Sequence, residues 1–452
     1  VPMIAQTNKK YLQNSMCVND GDRESVAVSP HIMSFVEKME KQFVPQSTLN
    51  PFEAENYVSR LQELSLEAVG SLSWSRQNEW LIKLNLQAHH CAAAMQDEFV
   101  VELFVTLDKV QTLIQNLIAM EVWKDKVYPR VRGDLLGITK STSQCYFLLY
   151  HEVVICNLME TLFYHEHAVE AAGDLLVDLV DYCARRMQML ITSSAELSEE
   201  KERTPEELFD MIDELMMEDQ ERALTFQCCM SAVNIFRFLT DHVKVMSLSV
   251  VSRILDVHDF PVLVTYLLEE RPWLKREAGK VKKWVDSAWK VVEGDEIARV
   301  CTTEIQLWLT LNNLVSDVSF RSRYEFTRHR KETISKNRRF MNEVLLDQIP
   351  VLVDLHRFIE EMRLMQDLPN SNVDALLVQQ EPEVQQQLLR SDFQQLAADF
   401  LQMVRDMSEE DRRKQLQSLS EALGCFDEAE DGQNEGTSSA GLEQLVPKIE
   451  EL

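Results

Sequence analysis

Glycine is scarce in this chain. It supplies 11 of 452 residues, where average usage would give roughly 30. Tight β-hairpins depend on residues that tolerate positive φ, glycine above all, so a fold built from many hairpins is excluded at the outset. Leu, Met, Glu, Gln and Ala dominate instead, and these are good helix formers. Apolar residues make up 45% of the chain, enough for a large interior. The expected fold class is all-α.

Apolar periodicity supports this. Val100, Leu103, Phe104, Leu107, Val110, Ile114, Leu117 and Ile118 recur at spacings of three and four, which predicts a broad apolar helix face. Leu176, Leu179, Val180, Cys183, Met187, Leu190 and Ile191 repeat the pattern, with Asp174 after Gly173 as its N-cap. Thr204, Pro205 and Glu207 make a capping box at the end of a polar loop. Further helices are expected over 247–257, from Asp259 and Pro261 up to Pro272, and over 295–315, 320–345 and 349–365. Residues 280–292 fit a helix poorly and leave a hairpin or an extended excursion open. Many helices on short loops suggest an armadillo/HEAT-like α-solenoid. No clean repeat of 40–47 residues is visible, so a compact bundle stays open.

The expected organisation has five parts: a largely disordered N-terminal extension at 1–51, a helical body at 52–365, a linker at 366–382, a Gln- and Leu-rich helical segment at 383–424, and a disordered acidic tail at 425–452. Val58 and Leu81 occupy apolar helical positions and are expected to be structural. So are Trp123 and Pro129, which close a helix and fix a turn. The most apolar stretch, 145–164, contains His151, Glu152, Asn157 and Glu160. It therefore reads as a buried helix, not a membrane span.

The net charge is −28, which disfavours nucleic acid and anionic membranes as partners. The nine cysteines are odd in number and irregularly spaced, as expected of reduced thiols in a cytosolic protein. Catalytic motifs are missing from the sequence. His151-Glu152 opens like a zinc-protease motif, but position 155 is Ile. The clusters at His89-His90-Cys91 and at His165-Glu166-His167 lack the one-face spacing of helix-borne zinc ligands. Cys228-Cys229 reads as two small core residues, inert towards oxidation. No metal, no cofactor and no catalytic residue is expected, and the chain is expected not to be an enzyme.

Two basic islands break the acidic background. Residues 271–290 hold Arg271, Lys275, Arg276, Lys280, Lys282, Lys283 and Lys290 against two acids, with Trp273, Trp284 and Trp289 among them. Residues 321–339 hold eight bases against two acids. A solvated helix face over core tryptophans is one reading. Docking of an acidic protein, or of this chain's own acidic loop and tail, is another; single-stranded nucleic acid is a third. Trp and Arg are also what protein interfaces concentrate at their centres, so Trp273, Arg276, Trp284 and Trp289 form the expected interface.

Seven strings occur in order along the chain: EAENYV (53–58), KLNLQA (83–88), LIAMEVWKDKVYP (117–129), NLMETLFYH (157–165), DLVDYC (178–183), SLSVVSRILDVHDFPVLVTYLLEERPW (247–273) and VLLDQIPVLVDL (344–355). In this order they resemble the zinc finger MYND domain-containing protein 10 family of axonemal dynein arm assembly factors. The resemblance covers about 52–365 and fades toward residue 425. It implies a co-chaperone-like cytoplasmic adaptor near centriolar satellites or in the apical cytoplasm of cells with motile cilia. Axonemal dynein heavy and intermediate chains would be its clients, and heat-shock chaperones its company. The family's MYND finger uses Cys-x-x-Cys pairs and a late His-x-x-x-Cys, and nothing after Cys425 supplies them. Zinc is therefore not carried over. The resemblance also implies a leucine-rich-repeat dynein assembly factor as a partner, through a contact attributed largely to the finger. A general armadillo-like scaffold in nuclear or transcriptional regulation is the alternative.

Overall fold

The structure, a computed structural model, describes residues 49–139, 142–198, 213–277, 279–285, 287–364 and 380–423. The described chain opens with α1 (Pro51–Arg60), α2 (Leu72–Ala94), α3 (Phe99–Thr106), α4 (Val110–Lys126), α5 (Tyr128–Thr139) and α6 (Ser143–Leu162). Next come α7 (Glu166–Ala172), α8 (Leu176–Thr192), α9 (Ser194–Leu197), α10 (Asp213–Asp241), α11 (Leu248–Ser252) and α12 (Phe260–Glu270). Three strands then interrupt the helices: β1 (Leu274–Glu277), β2 (Lys280–Val285) and β3 (Ala288–Val292). The helices resume as α13 (Thr302–Ser316), α14 (Val318–Arg321), α15 (Arg328–Ser335), α16 (Glu343–Gln348) and α17 (Leu352–Leu364), and end with α18 (Glu383–Leu388), α19 (Phe393–Asp406) and α20 (Glu409–Ala422).

Side-chain caps set many of the starts. Asn50 accepts from Glu53 N at 3.0 Å with Pro51 following it. Ser71, Thr327, Asn342 and Ser408 serve α2, α15, α16 and α20 in the same way, each satisfying a donor that the first helical turn leaves orphaned. α12 is bounded at both ends by left-handed residues, Asp259 (φ 48) and Arg271 (φ 52), and Pro272 forbids its continuation.

Among the described residues the fold is all-α apart from one small sheet. The longest helix, α10, runs about 43 Å at 1.5 Å per residue and packs against α6, α8 and α13. α6 in turn meets α2 and α4, and α13 meets α12 and α17, so helices follow one another through the body. α6 is buried on nearly all sides, as its composition requires. Among the described residues no helix is long and apolar enough to cross a membrane. Val58 and Leu81 have no exposed surface and Trp123 almost none.

The C-terminal segment does not extend the stack. It returns to the beginning, with α18 against α4, α19 against α5 and α20 against α2. Phe400 meets Trp123 edge-on at 5.2 Å between ring centres. It also presses on Gly70 (φ 83), where an added Cβ would lie 2.7 Å from the Phe400 ring. Gln415 Nε2 donates to the Gly70 carbonyl at 3.3 Å, and Ser418 pairs with Glu79 at 2.5 Å.

Several local expectations need correction. The stretch from Val100 to Ile118 is two helices, broken at Asp108, whose φ is 54. Asp174 caps nothing: a 3-10 turn, Gly173–Leu175, leads directly into α8, whose N-cap position is Leu175. The single helix expected over 320–345 is split, because Thr327 and Asn342 each begin a new helix. Pro129 is exposed in the first turn of α5, while Val127 ends α4. The helical segment expected at 383–424 is helical, as three helices restarted at Asp392 and Ser408. The capping box at Thr204, the N-terminal extension to residue 48, most of the linker and the tail lie outside the described residues.

Candidate protein-binding surface

The three strands form one antiparallel sheet in the order β1-β2-β3. Val285 pairs with Ala288, so two residues join β2 to β3, and Trp284 lies opposite Trp289. Ser287 (φ 59) and Gly279 (φ 77) supply the positive φ that such turns need. This is the hairpin that residues 280–292 left open: KVKKWV and AWKVV are too short and too β-branched or aromatic to hold a helix here.

The sheet is rooted in the helical body. Trp273, with 0% exposure, donates its indole N–H to Glu304 Oε2 on α13 at 3.2 Å, and Arg271 reaches the same carboxylate at 3.3 Å. Trp284 N donates to the Trp273 carbonyl at 2.9 Å. Lys283 Nζ donates to the carbonyls of Glu296 (2.9 Å), Ile297 (2.8 Å) and Arg299. Burial holds its ammonium below the usual lysine range. Trp284 and Trp289 close on each other at 5.5 Å and both rest on Phe226 of α10, at 4.9 and 5.6 Å. Lys275 Nζ lies 3.8 Å from the Trp289 ring centre and donates to the Ser198 carbonyl.

The four residues expected to form the interface therefore have different places. Trp273 is interior and anchors the sheet. Trp284 and Trp289 are half-buried and form an aromatic plate, and Arg276 is exposed. The exposed residues of the sheet also include Glu277, Lys280, Ala288, Lys290 and Val291. Sequence reasoning missed Phe226, far before Trp284 and Trp289 in the chain, and Glu304, 31 positions after Trp273; the neighbourhoods of both read as ordinary helix. The alternation in KVKKWV was the one available signal for the sheet.

The interior also holds a charged cluster centred on α8. Glu152 of α6 accepts from Arg186 at 2.6 Å, Tyr182 at 2.8 Å and Lys124 at 2.9 Å. Burial alone would raise its carboxyl, but the Arg186 and Lys124 charges outweigh burial and hold it at about 2. Asp181 is chelated by Arg253 (2.5 and 2.7 Å) and touched by His258 at 2.6 Å. These hydrogen bonds overcome its burial and again hold it at about 2. Beside Glu152, His151 is enclosed against Trp74, and burial pushes it down to about 3. Cys228 and Cys229 are fully buried, and burial raises Cys229 to about 12. These carboxylates are ionised and fully engaged, so they tie α4, α6 and α8 together. His165, from the cluster near the end of α6, is bound to Glu98 at 2.9 Å. Among the described residues no group of His, Cys, Asp and Glu is arranged to hold a metal ion.

The chain is similar to the zinc finger MYND domain-containing protein 10 homolog of Drosophila melanogaster, with 26% identity over 342 residues, 76% of this chain and 74% of that protein. It is a relative of zinc finger MYND domain-containing protein 10. No family model matches the chain, and no solved structure matches it. Within these 452 residues there is no Cys-x-x-Cys pair, so zinc-finger chemistry has no donor set here.

Proposed function

We propose that this chain is a non-enzymatic adaptor in the cytoplasmic preassembly of axonemal dynein arms, and that it works by binding other proteins. The observation that carries this reading is the likeness to zinc finger MYND domain-containing protein 10 along three quarters of the chain. The surface at 274–292 supports it: a rigid aromatic plate flanked by exposed cations on a chain of net charge −28. Interfaces concentrate Trp and Arg at their centres. The expected clients are dynein heavy and intermediate chains, with heat-shock chaperones as company.

The test is affinity purification of this chain from cytosol of cells building motile cilia, read by quantitative mass spectrometry. Recovery of axonemal dynein chains supports the reading; a folded bait that recovers none overturns it. Arg276→Glu combined with Trp284→Ala should reduce that recovery if the sheet is the contact.

A further inference from the structure

The helices at 383–422 lie on elements far earlier in the chain, and their contact is one-sided. α19 buries Leu396, Ala397, Phe400, Leu401 and Val404, and α20 buries Gln415, Leu419, Ser420 and Ala422; the opposite faces are exposed. Those outer faces carry their own support. Gln395 donates to Asp399 at 2.8 Å, Gln402 to Asp406 at 2.9 Å and Gln417 to Glu421 at 2.8 Å, one-turn pairs that stabilise a helix without help from neighbours. Asp392 accepts from the Gln394 and Gln395 amides, and Ser408 from that of Asp411, so both starts are capped from within. Arg412 joins the two helices by donating to the Val404 carbonyl at 3.0 Å. α19 and α20 are thus a hairpin whose helical structure is largely local and whose docking is a separate contact. Elements held in this way open at the low end of a protein's stability range.

The seat beneath the hairpin is shaped for it, and the latch beside it is polar. Gly70 (φ 83) leaves room for the Phe400 ring, which meets Trp123 edge-on. Gln415 donates to the Gly70 and Ser71 carbonyls, and Ser418 to Glu79. Where the segment begins, Gln385 N of α18 donates to Asp178 Oδ1 at 3.3 Å. Asp181, on the same helix α8, chelates Arg253. Arg253 in turn donates from Nη1 to the Gln380 carbonyl at 3.3 Å and lies 3.6 Å from the Glu381 carboxylate. It opens a π-helical turn, Arg253–Val257, a rare geometry that recurs at functional sites.

We propose that 383–422 is a releasable strap which, when docked, blocks a helix-binding seat on its own body. The seat surrounds Gly70 and Trp123, and its occupant is α19. Release frees it for an amphipathic helix with apolar side chains at the spacing of Leu396, Ala397, Phe400, Leu401 and Val404. The covalent connection favours α19 over any free helix of the same pattern, and the latch at Asp178 and Arg253 sets how often the strap opens. The strap is independent of which client the chain serves.

The test uses the full chain. Hydrogen exchange of the wild type should show the amides of 393–422 exchanging as one unit, at least about tenfold faster than those of α6 and α8. Protection of 393–422 equal to that of α6 would overturn the proposal, since the hairpin would then open only with the whole body. Asp178→Ala should speed exchange in 393–422 by about tenfold and leave α6 unchanged; equal acceleration in both would mean that Asp178 holds the body together and is no latch. A labelled, blocked peptide of residues 391–407 is then added and followed by fluorescence anisotropy. It should bind the Phe400→Asp chain at least about tenfold tighter than wild type, because the resident helix is weakened there. The same peptide carrying Phe400→Asp should bind neither chain. No binding to a Phe400→Asp chain that keeps its helical circular dichroism, or equal binding of the two peptides, would overturn the seat. If Phe400→Asp does not fold, Asp178→Ala with the same peptides decides in the same way. Dimers of the wild type growing with concentration in light scattering, with 393–422 protected only in the dimer, would overturn the proposal too, because the segment would then be exchanged between copies.

Discussion

The two basic islands, 271–290 and 321–339, have similar charge counts, but their cations are held in different ways. In the second, Arg330 meets Asp259 at 2.7 Å, Arg339 meets Glu269 at 2.7 Å and Arg338 meets Glu360, all on other elements, while Arg328 pairs with Glu332 at 2.8 Å within α15. Guanidinium groups also lie over rings, with Arg330 4.6 Å from the Tyr324 centre and Arg339 4.6 Å from that of Phe340. A cleft of about 560 Å³ opens between Lys336, Arg339 and His356, but two of its arginines are already paired. In the first island, Arg271 reaches Glu304, Lys283 is held by backbone carbonyls, Lys275 by the Ser198 carbonyl and the Trp289 ring, and Arg276 and Lys280 are exposed on the sheet. Net charge in a sequence window thus says little about charge available to a partner. What decides it is which acids the fold brings alongside.

Removing the root of the sheet should have the largest effect. Trp273→Ala empties a fully buried site and strands Glu304, so it should cost about 3–5 kcal/mol. Urea unfolding measures it, and a cost below about 1 kcal/mol would show that the sheet is not anchored there. Arg330→Ala should cost about 2 kcal/mol, because it removes the ion pair with Asp259 and bonds to the Glu325 and Leu255 carbonyls. If Arg330→Ala proved neutral, the acids facing the second island would not hold its cations and the contrast would collapse.

The interior supplies a comparable effect through pH. His151 is held neutral by burial, its folded value of about 3 lying below the ordinary 6.5. The unfolded chain therefore takes up this proton first as pH falls. Stability is full above pH 6.5 and declines toward pH 3, by about 2 kcal/mol between pH 7 and 5. Asp181 and Glu152, depressed to about 2, add a further loss from about pH 4 down to pH 2. Melting temperature against pH, for wild type and His151→Leu, should show the upper part of this decline only in wild type. The smallest effect belongs to the exposed cation: Arg276→Glu should change stability by less than about 0.5 kcal/mol while lowering partner recovery. A large loss of stability there would mean that Arg276 is structural.

Helices were legible wherever apolar spacing repeats, because the pattern is local. Val100 to Ile118 and Leu176 to Ile191 are both helical and both face inward. Breaks within the pattern were harder to see. The left-handed Asp108 interrupts a run whose apolar residues stay in step, so periodicity passes straight over it. Thr327 and Asn342 are ordinary capping residues, but in a charged stretch no apolar run marks where a helix should restart. The candidate surface was half legible. The three tryptophans and Arg276 stood out in composition, yet nothing local distinguishes buried Trp273 from half-buried Trp284 and Trp289.

The sequence by itself determined the helical class, the scarcity of tight turns, the segment that resists helix formation at 280–292, and the likeness to a known family. These follow from propensity and short-range periodicity, which each stretch carries whether or not the rest of the chain is present. Tertiary structure alone decided that Glu304 and Phe226 hold the sheet, that Asp259 and Glu269 quench the second island, and that 383–422 returns to cover Gly70 and Trp123. Those choices pair residues tens to hundreds of positions apart. Burial makes an unmatched charge or a misfitted ring costly only once distant elements have closed around it.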